Sequence, residues 1–543
     1  MAWVHNLTYA IRKAEQKQIR LPVPFGGLNF INNPLDFPAT DAYLMDNFIA
    51  RSSGAELRKG WRYWVPEANK LTGEVRSLMS YSASNPTNDA LFASASGDGH
   101  IYRISPGNTA PVSVLTPSPA STRPGEWYST LYVVPGGLYL CAVSEGAGYY
   151  HYKTGEGWIK VTLTFPVGDT TTTEQLAFCF IWKNRLWFLK ANSTVAYYLP
   201  ITSIAGTLSS FDFGSQLTHG GYLAFGTSWT YDSGSGIDDA LIICSKEGDL
   251  LLYRGSDPDN AAAFGLQGIF YCGRLPSGRR GFCQHGGNTL ILSEYGIINI
   301  ADLVAGRLHT SLINGDIGYK INPRLARLIT QYANTDYWAL TPYPTEELLI
   351  LSSPIYSEAL GIRQSFVMNS LTNSWCSISS LDILSTAMYQ GYFVFGTRTG
   401  SVILGFYGTR DGDSADGLTF GSEPTGRLQC SFNGMDSPTM NKRLLRTKLY
   451  GLSDTSPSFF IKFKAEYDLN ELLSVSSPVA VLGSLWDSAL WDSAKWETLL
   501  GSFHRWIGVA AFGKKLSMQM ALRGSGGTMI TDFEVLYEEG INL

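Results

Sequence analysis

Residues 240–255 read ALIICSKEGDLLLYRG: an apolar run, a short polar turn carrying Gly248, and a second apolar run. Two such runs across so short a turn make an antiparallel β-hairpin, because the corner needs a residue that tolerates positive φ while the flanks carry apolar side chains to bury. The phrase recurs at 90–104 (ALFASASGDGHIYRI), 138–152 (LYLCAVSEGAGYYHY), 185–199 (RLWFLKANSTVAYYL), 289–300 (TLILSEYGIINI) and 392–406 (YFVFGTRTGSVILGF). Gly97, Gly146, Gly296 and Gly400 stand at the matching corners, with Asn192 substituting in the copy at 185–199. Hairpins spaced by roughly 50 residues predict a β-propeller, one four-stranded blade per period. Between Gly296 and Gly400 the interval covers two periods, and 348–351 with 365–369 supply a seventh unit, carrying an insertion at 352–364 and a turn at 372–374. Six or seven blades are admissible, and the ring must close by pairing early and late strands, with 75–80 beside 392–406 as the expected seam.

Outside the repeats the texture changes. Val4, Leu7, Ile11 and Ala14 have helical spacing, so residues 1–18 read as a short helix or an unstructured arm. LPVPFGG at 21–27 forbids a continuing helix, and 41–49 reads as a second brief helix with Thr40 as its N-cap. DGDSADG at 411–417 is a hydrophilic break. Beyond it, 443–450, 459–467, 516–522 and 529–537 alternate apolar and polar side chains as half-buried strands do, which predicts a β-sandwich or jelly-roll. The expected division is an N-terminal arm and platform segment at 1–74, a propeller at 75–408 and a C-terminal sandwich at 409–543, all-β throughout.

With 543 residues the chain exceeds what one core usually supports. Charged residues are 16% of it, against a usual ~25%, and aromatics 13%, so much of the surface must be neutral, which favours fixed assembly with other subunits. A net charge of −5 argues against a groove that grips phosphates and fits a channel through which an anionic polymer slides. The seven cysteines are scattered without a CxxC pair, as reduced core thiols are in a protein folded in a reducing cytoplasm. No run of ~18 apolar residues exists, so no stable membrane insertion is expected.

Chemical motifs are sparse. LWDSALWDSAKW sets Trp486, Trp491 and Trp496 at five-residue intervals, a stride that suits a curled loop; it reads as a loop core, a subunit interface or an aromatic sugar platform. Asp411, Asp413 and Asp416 crowd one loop, but Ala415 occupies the fifth EF-hand position, so a solvated linker is the plainer reading. The seven histidines hold no HExxH or metal-ligand spacing and read as surface or turn residues; no P-loop, GxSxG elbow or paired carboxylates for glycoside hydrolysis stand out. The basic clusters at 279–280 (SGRRGF) and 442–448 (KRLLRTK) are short, and the second reads as a solvated strand face. No catalytic residue, cofactor or metal ligand is expected.

The segment 22–62, PVPFGGLNFINNPLDFPATDAYLMDNFIARSSGAELRKGWR, resembles the opening of tail structural proteins of short-tailed bacteriophages. The matching positions are Gly26, Gly27, Leu28, Asn29, Pro34, Leu35, Asp36, Asp41, Ala42, Asp46, Asn47, Glu56, Leu57, Arg58, Lys59 and Gly60. The tryptophan run and TDFEVLYEEG at 531–540 are similar to that group's C-terminal domain. The resemblance implies a tail nozzle: a homohexamer below the portal and the adaptor (head-to-tail connector), located in the virion tail, with tail fibres or other tail proteins as neighbours. Its N- and C-terminal segments would build a platform, its propellers would surround the channel, and viral DNA would pass without sequence recognition. It also implies structural roles: Gly26 and Gly27 shaping a turn, Asp46 and Asn47 capping or bridging backbone groups, and Arg58 pairing with a nearby carboxylate. The competing reading from the residues is a propeller that binds or cleaves surface polysaccharide, as an adhesin or glycosidase.

Overall fold

The computed structural model describes residues 16–33, 38–107, 109–230, 239–260, 262–307, 317–357, 362–466, 468, 480–481 and 501–540. The chain divides into two compact units, one formed by Met1–Arg58 with Thr425–Leu543 and the other by Lys59–Pro424.

In the Lys59–Pro424 unit the hairpins fall where the repeats place them. Among the described residues seven successive groups of three or four neighbouring antiparallel strands follow one another, each a blade. Their first strands are Val75–Tyr81, Tyr128–Val134, Leu176–Trp182, Leu223–Thr230, Phe282–His285, Ala339–Tyr343 and Ser385–Tyr389. Packing between successive blades, with Ser385–Tyr389 returning against Val75–Tyr81, makes the ring. The core lies between blades: Trp127, Tyr150 and Phe92 fill the first gap, Trp182, Trp187 and Trp229 a later one, and Val75, Val394 and Leu404 the last. The unit expected at 348–369 is the sixth blade, with strands Leu348–Ser352, Ser365–Asn369 and Ser374–Ile378. The fifth blade stops at three strands, Phe282–His285, Asn288–Ser293 and Gly296–Asn299, and the chain continues into helices Ile300–Val304 and Asn322–Gln331.

The seam differs from expectation. Trp61–Tyr63 supplies the fourth strand of the seventh blade, antiparallel to Val402–Gly405. Residues 75–81 form the innermost strand of the first blade and touch the seventh through Val75 N–H donating to Thr397 O (3.0 Å) and Ser385 Oγ–H donating to Val75 O (2.7 Å). A three-residue strand has no alternation to betray it. Near the seam Gly400 (φ +90°) lets two backbones meet: a Cβ there would stand 1.9 Å from Leu71 O. Asp411–Asp413 pairs in parallel with Trp61–Tyr63, so the acidic segment belongs to this unit and is more than a linker.

The other unit is a sandwich built from both ends of the chain. One sheet runs Phe48–Arg51, Gly54–Leu57, Met529–Glu539, Lys442–Ser453, Gly501–Gly513, with Gln16–Pro22 also on Met529–Glu539. The other layer joins Ala42–Asp46, Thr425–Cys430, Leu516–Arg523 and Ser458–Ala465. Phe48, Leu57, Leu449, Met520, Leu522, Phe533 and Val535 are buried in it. The helix expected at 41–49 is absent: Ala42–Asp46 and Phe48–Arg51 are strands in different sheets, separated by Asn47 at φ 59°. Apolar side chains on both sides of this stretch fill a sandwich, and a left-handed residue cannot sit inside an α-helix. Gln16–Pro22 is likewise a strand, and residues 1–15 lie outside those described.

Candidate functional site

Two places concentrate polar side chains in buried settings. The first is the turn-and-corner system of the sandwich unit. Gly26 N–H donates to Thr40 O (2.7 Å), Ala42 N–H to Gly27 O (2.8 Å), and Asn29 N–H to Ala42 O (3.1 Å), so the Gly-Gly-Leu-Asn segment is zipped onto Asp41–Ala42. Asn29 Nδ2 donates to Asp41 Oδ2 at 2.7 Å, and both residues are buried. Asn47 then turns the chain from one sheet into the other: its Nδ2 donates to Thr425 O (2.9 Å), its Oδ1 accepts from Arg58 Nε (3.3 Å), and its carbonyl accepts from Arg58 N–H (3.0 Å). Arg58 is fully buried, as are nearly all of Asp46 and Asn47. Glu56 holds Arg51 (2.5 Å), and Leu57 N–H donates to Thr528 O (2.7 Å), tying this segment to the strand that begins at Met529. Gly27, Asp46, Asn47 and Arg58 are thus consumed by the fold around them, while Gly26 is half-buried.

The second place is the end of the propeller where the innermost strands begin. Arg280 Nη1 donates to Arg76 O (2.7 Å) and Nη2 to Ser77 Oγ and Trp127 O (both 2.8 Å), with its guanidinium carbon 5.1 Å from the Tyr128 ring centre. One side chain of the fifth blade therefore holds the first and second. Arg279 turns to the fourth blade, donating from Nη1 to Leu223 O (2.7 Å) and Ala224 O (2.8 Å); burial pushes its pKa down. Arg123 bridges Glu126 (2.8 Å) and Asp336, and Asp336 also accepts from Ser277. Burial beside Glu126 raises the Tyr128 phenol far above its ordinary range, with Arg280 opposing, so it stays neutral. The space among Arg76, Tyr128, Arg280, Asp336 and Tyr337 admits about 20 Å³ of water-sized volume, room for one or two waters and too little for a sugar ring.

Trp486, Trp491 and Trp496 lie outside the described residues, as do Pro34, Leu35 and Asp36. In the acidic loop Asp413 Oδ1 accepts from Gly421 N–H (2.8 Å) and Asp416 Oδ1 from Leu418 N–H (3.0 Å), so backbone donors occupy those carboxylates. All seven cysteines are free and buried. His151 is buried on a blade strand rather than on the surface, packed edge-on against Tyr139. Lys442 is also fully buried, contrary to the solvated face expected for KRLLRTK: its Nζ donates to Met440 O (3.0 Å) and Lys514 O (3.1 Å), and a register shift between Leu444 and Arg446 breaks the strict alternation. Among the described residues no group of three or more His, Cys, Asp or Glu could hold a metal ion, and no helix is long and apolar enough to cross a membrane. Sequence reasoning missed the axial role of Arg279 and Arg280; a basic pair just before the short Phe282–His285 strand was the signal available.

Comparison with protein-family models and with curated proteins gives no match. Among solved structures the chain is similar to BBS1N in complex with ARL6DN (TM-score 0.39, 11% identity, covering 64% of this chain and 98% of that one). It is also similar to YCF48 from Cyanidioschyzon merolae (TM-score 0.37, 9% identity, 64% and 98%) and to the computationally designed Ika8 protein (TM-score 0.33, 9% identity, 64% and 99%). At such scores the likeness carries no argument about function, and the propeller is read from the chain's own sheets.

Proposed function

We propose that this chain is a structural subunit of the tail of a short-tailed bacteriophage: a nozzle protein that assembles as a homohexamer below the adaptor and continues the DNA channel, serving genome retention and ejection. The observation that carries the reading is that the two stretches resembling such proteins, at the N- and C-terminal ends, belong to one folded unit, where Met529–Glu539 pairs with Gln16–Pro22 and Gly54–Leu57. A propeller inserted between the two ends of its own platform suits a subunit whose platform does the assembling. The resembling residues Asn29, Asp41, Asn47 and Arg58 face inward and build that platform, which supports structural rather than catalytic roles for them. DNA would pass between subunits, since the arginine-filled axis of one propeller has no room for it.

The experiment is to mix the purified chain with portal–adaptor particles and measure mass by mass photometry alongside negative-stain imaging. Six added subunits in a ring support the proposal. A chain that stays monomeric at high concentration and adds no ring to those particles sinks it, and release of sugar from host-surface polysaccharide would favour the glycan-directed alternative.

A further inference from the structure

The strand Gly501–Gly513 is the last of its sheet, and among the described residues it is paired on one side only, with Lys442–Ser453. An open edge offers its N–H and C=O groups to any other strand, and natural sheets blunt such edges by shortness, charge, proline or bulges. This one is 13 residues long. Apart from one register shift opposite Leu444 and Arg446, the run WIGVAAFG at 506–513 carries none of those devices. Trp506 and Phe512 within it are 40% and 51% exposed.

The second sheet ends on the same flank. Its last strand, Ser458–Ala465, packs beside Gly501–Gly513, with the Phe459 and Phe503 rings 6.3 Å apart, and leaves Phe460 53% exposed. A flank roughly 40 Å long and two sheets, about 20 Å, thick presents on the order of 800 Å², the area each partner gives to a stable interface. On the far side of the first sheet Gln16–Pro22 is also paired on one side only, with Met529–Glu539. Every step from Gln16–Pro22 through Met529–Glu539 and Lys442–Ser453 to Gly501–Gly513 is antiparallel, so the two open strands run in opposite senses. A second copy set beside the first in the same orientation therefore brings its Gln16–Pro22 antiparallel to Gly501–Gly513. Gln16–Pro22 is short and carries Lys17 and Arg20, which disfavours pairing with its own equivalent.

We propose that the flank formed by Gly501–Gly513 and Ser458–Ala465 is the contact between copies of this chain, and that it receives the Gln16–Pro22 edge of the next copy head to tail. Such a contact is heterologous and repeats around a ring. The inference deepens the assembly reading above and rests on it for ring closure.

The test is sedimentation velocity of the full chain over a range of concentrations, with two variants altered at opposite edges. Trp506→Glu/Phe512→Glu changes exposed side chains of the long strand, where Lys448 and Arg443 stand opposite as counter-charges. Gln16→Pro/Gln18→Pro removes the short edge, whether the lost N–H groups face the next copy or Met529–Glu539. Wild type should associate beyond dimers, each variant alone at least tenfold more weakly, and their equimolar mixture should stop at dimers, because each keeps one complementary edge. Hydrogen-exchange mass spectrometry of dilute and concentrated wild type reads the same contact without substitution: peptides covering 501–513 and 16–22 should gain protection together. A wild type that stays monomeric, variants that associate as wild type does, dimers formed by the proline variant alone, or peptides at 501–513 equally protected at every concentration each overturn the proposal. Association through these edges with no ring added to portal–adaptor particles would sink the tail reading and leave this contact standing. A six-membered ring built on those particles by Trp506→Glu/Phe512→Glu would do the reverse.

Discussion

Replacing Arg280 by methionine removes a side chain that holds three blades and leaves most of the local packing volume in place. The loss is three charged-donor hydrogen bonds, at 2.7, 2.8 and 2.8 Å, and a stack over Tyr128. At about 1.5 kcal/mol per bond the gross cost is roughly 4–5 kcal/mol. Ser77 Oγ–H still donates to Trp127 O (3.3 Å), and a methionine avoids the desolvation that the half-buried guanidinium suffers. The net expected cost is about 3 kcal/mol. Urea denaturation followed by tryptophan fluorescence reads it directly, because Trp127 sits at the joint. Arg123→Met serves as the contrast: its partners are the carboxylates of Glu126 and Asp336, but the side chain is 39% exposed, so the loss should stay below about 1 kcal/mol. If Arg280→Met unfolds within about 1 kcal/mol of wild type, the axial arginine does not hold the blades together.

Asn47→Ala in the sandwich unit should cost about 3 kcal/mol, from a left-handed alanine and from lost bonds to Thr425 O and Arg58, whereas Asn47→Gly should recover the conformational part. Equal melting temperatures for the two variants would show that φ at this corner does not matter. Burial pushes the Lys246 ammonium down to about 8, with Arg274 adding to the push, while its Nζ donates to Leu275 O at 2.5 Å. Between pH about 8 and the ordinary lysine range near 10.4 the unfolded chain keeps a proton that the folded chain has released, so this residue makes stability rise with pH across that window. Lys246→Met should flatten the rise in denaturant midpoints measured from pH 8 to 10; identical slopes refute it.

The blades were legible because each hairpin repeats a corner flanked by continuous apolar runs, and even the sixth blade, interrupted by 352–364, kept its pair of runs. The closing strand was not: Trp61–Tyr63 is three residues long and gains meaning only from its distant partner Val402–Gly405. Residues 41–49 misled because an apolar stretch that switches sheets has the same composition as a buried helix, and the decisive feature is the φ of one asparagine. At the axis the sequence showed Arg279 and Arg280 as a basic pair, but their acceptors are backbone carbonyls of three other blades, which no local pattern announces. Tyr337 and Arg363 are isolated in sequence, and only the ring brings them together.

The claim on which the rest depends is that an N-terminal strand closes a ring of seven sheets. Tyr63 and Ile403 face each other in the closing pair, flanked by the Trp64 N–H to Val402 O bond (2.9 Å), so cysteines at both positions fall in the close pairing that suits a disulfide. Non-reducing electrophoresis of Tyr63→Cys/Ile403→Cys after mild oxidation measures it, with each single variant as control. A ring closed by this strand gives an intramolecular crosslink in the double variant alone, seen as faster migration that reductant abolishes. Two cysteines that stay unlinked and both react with a thiol reagent in the folded protein would contradict it.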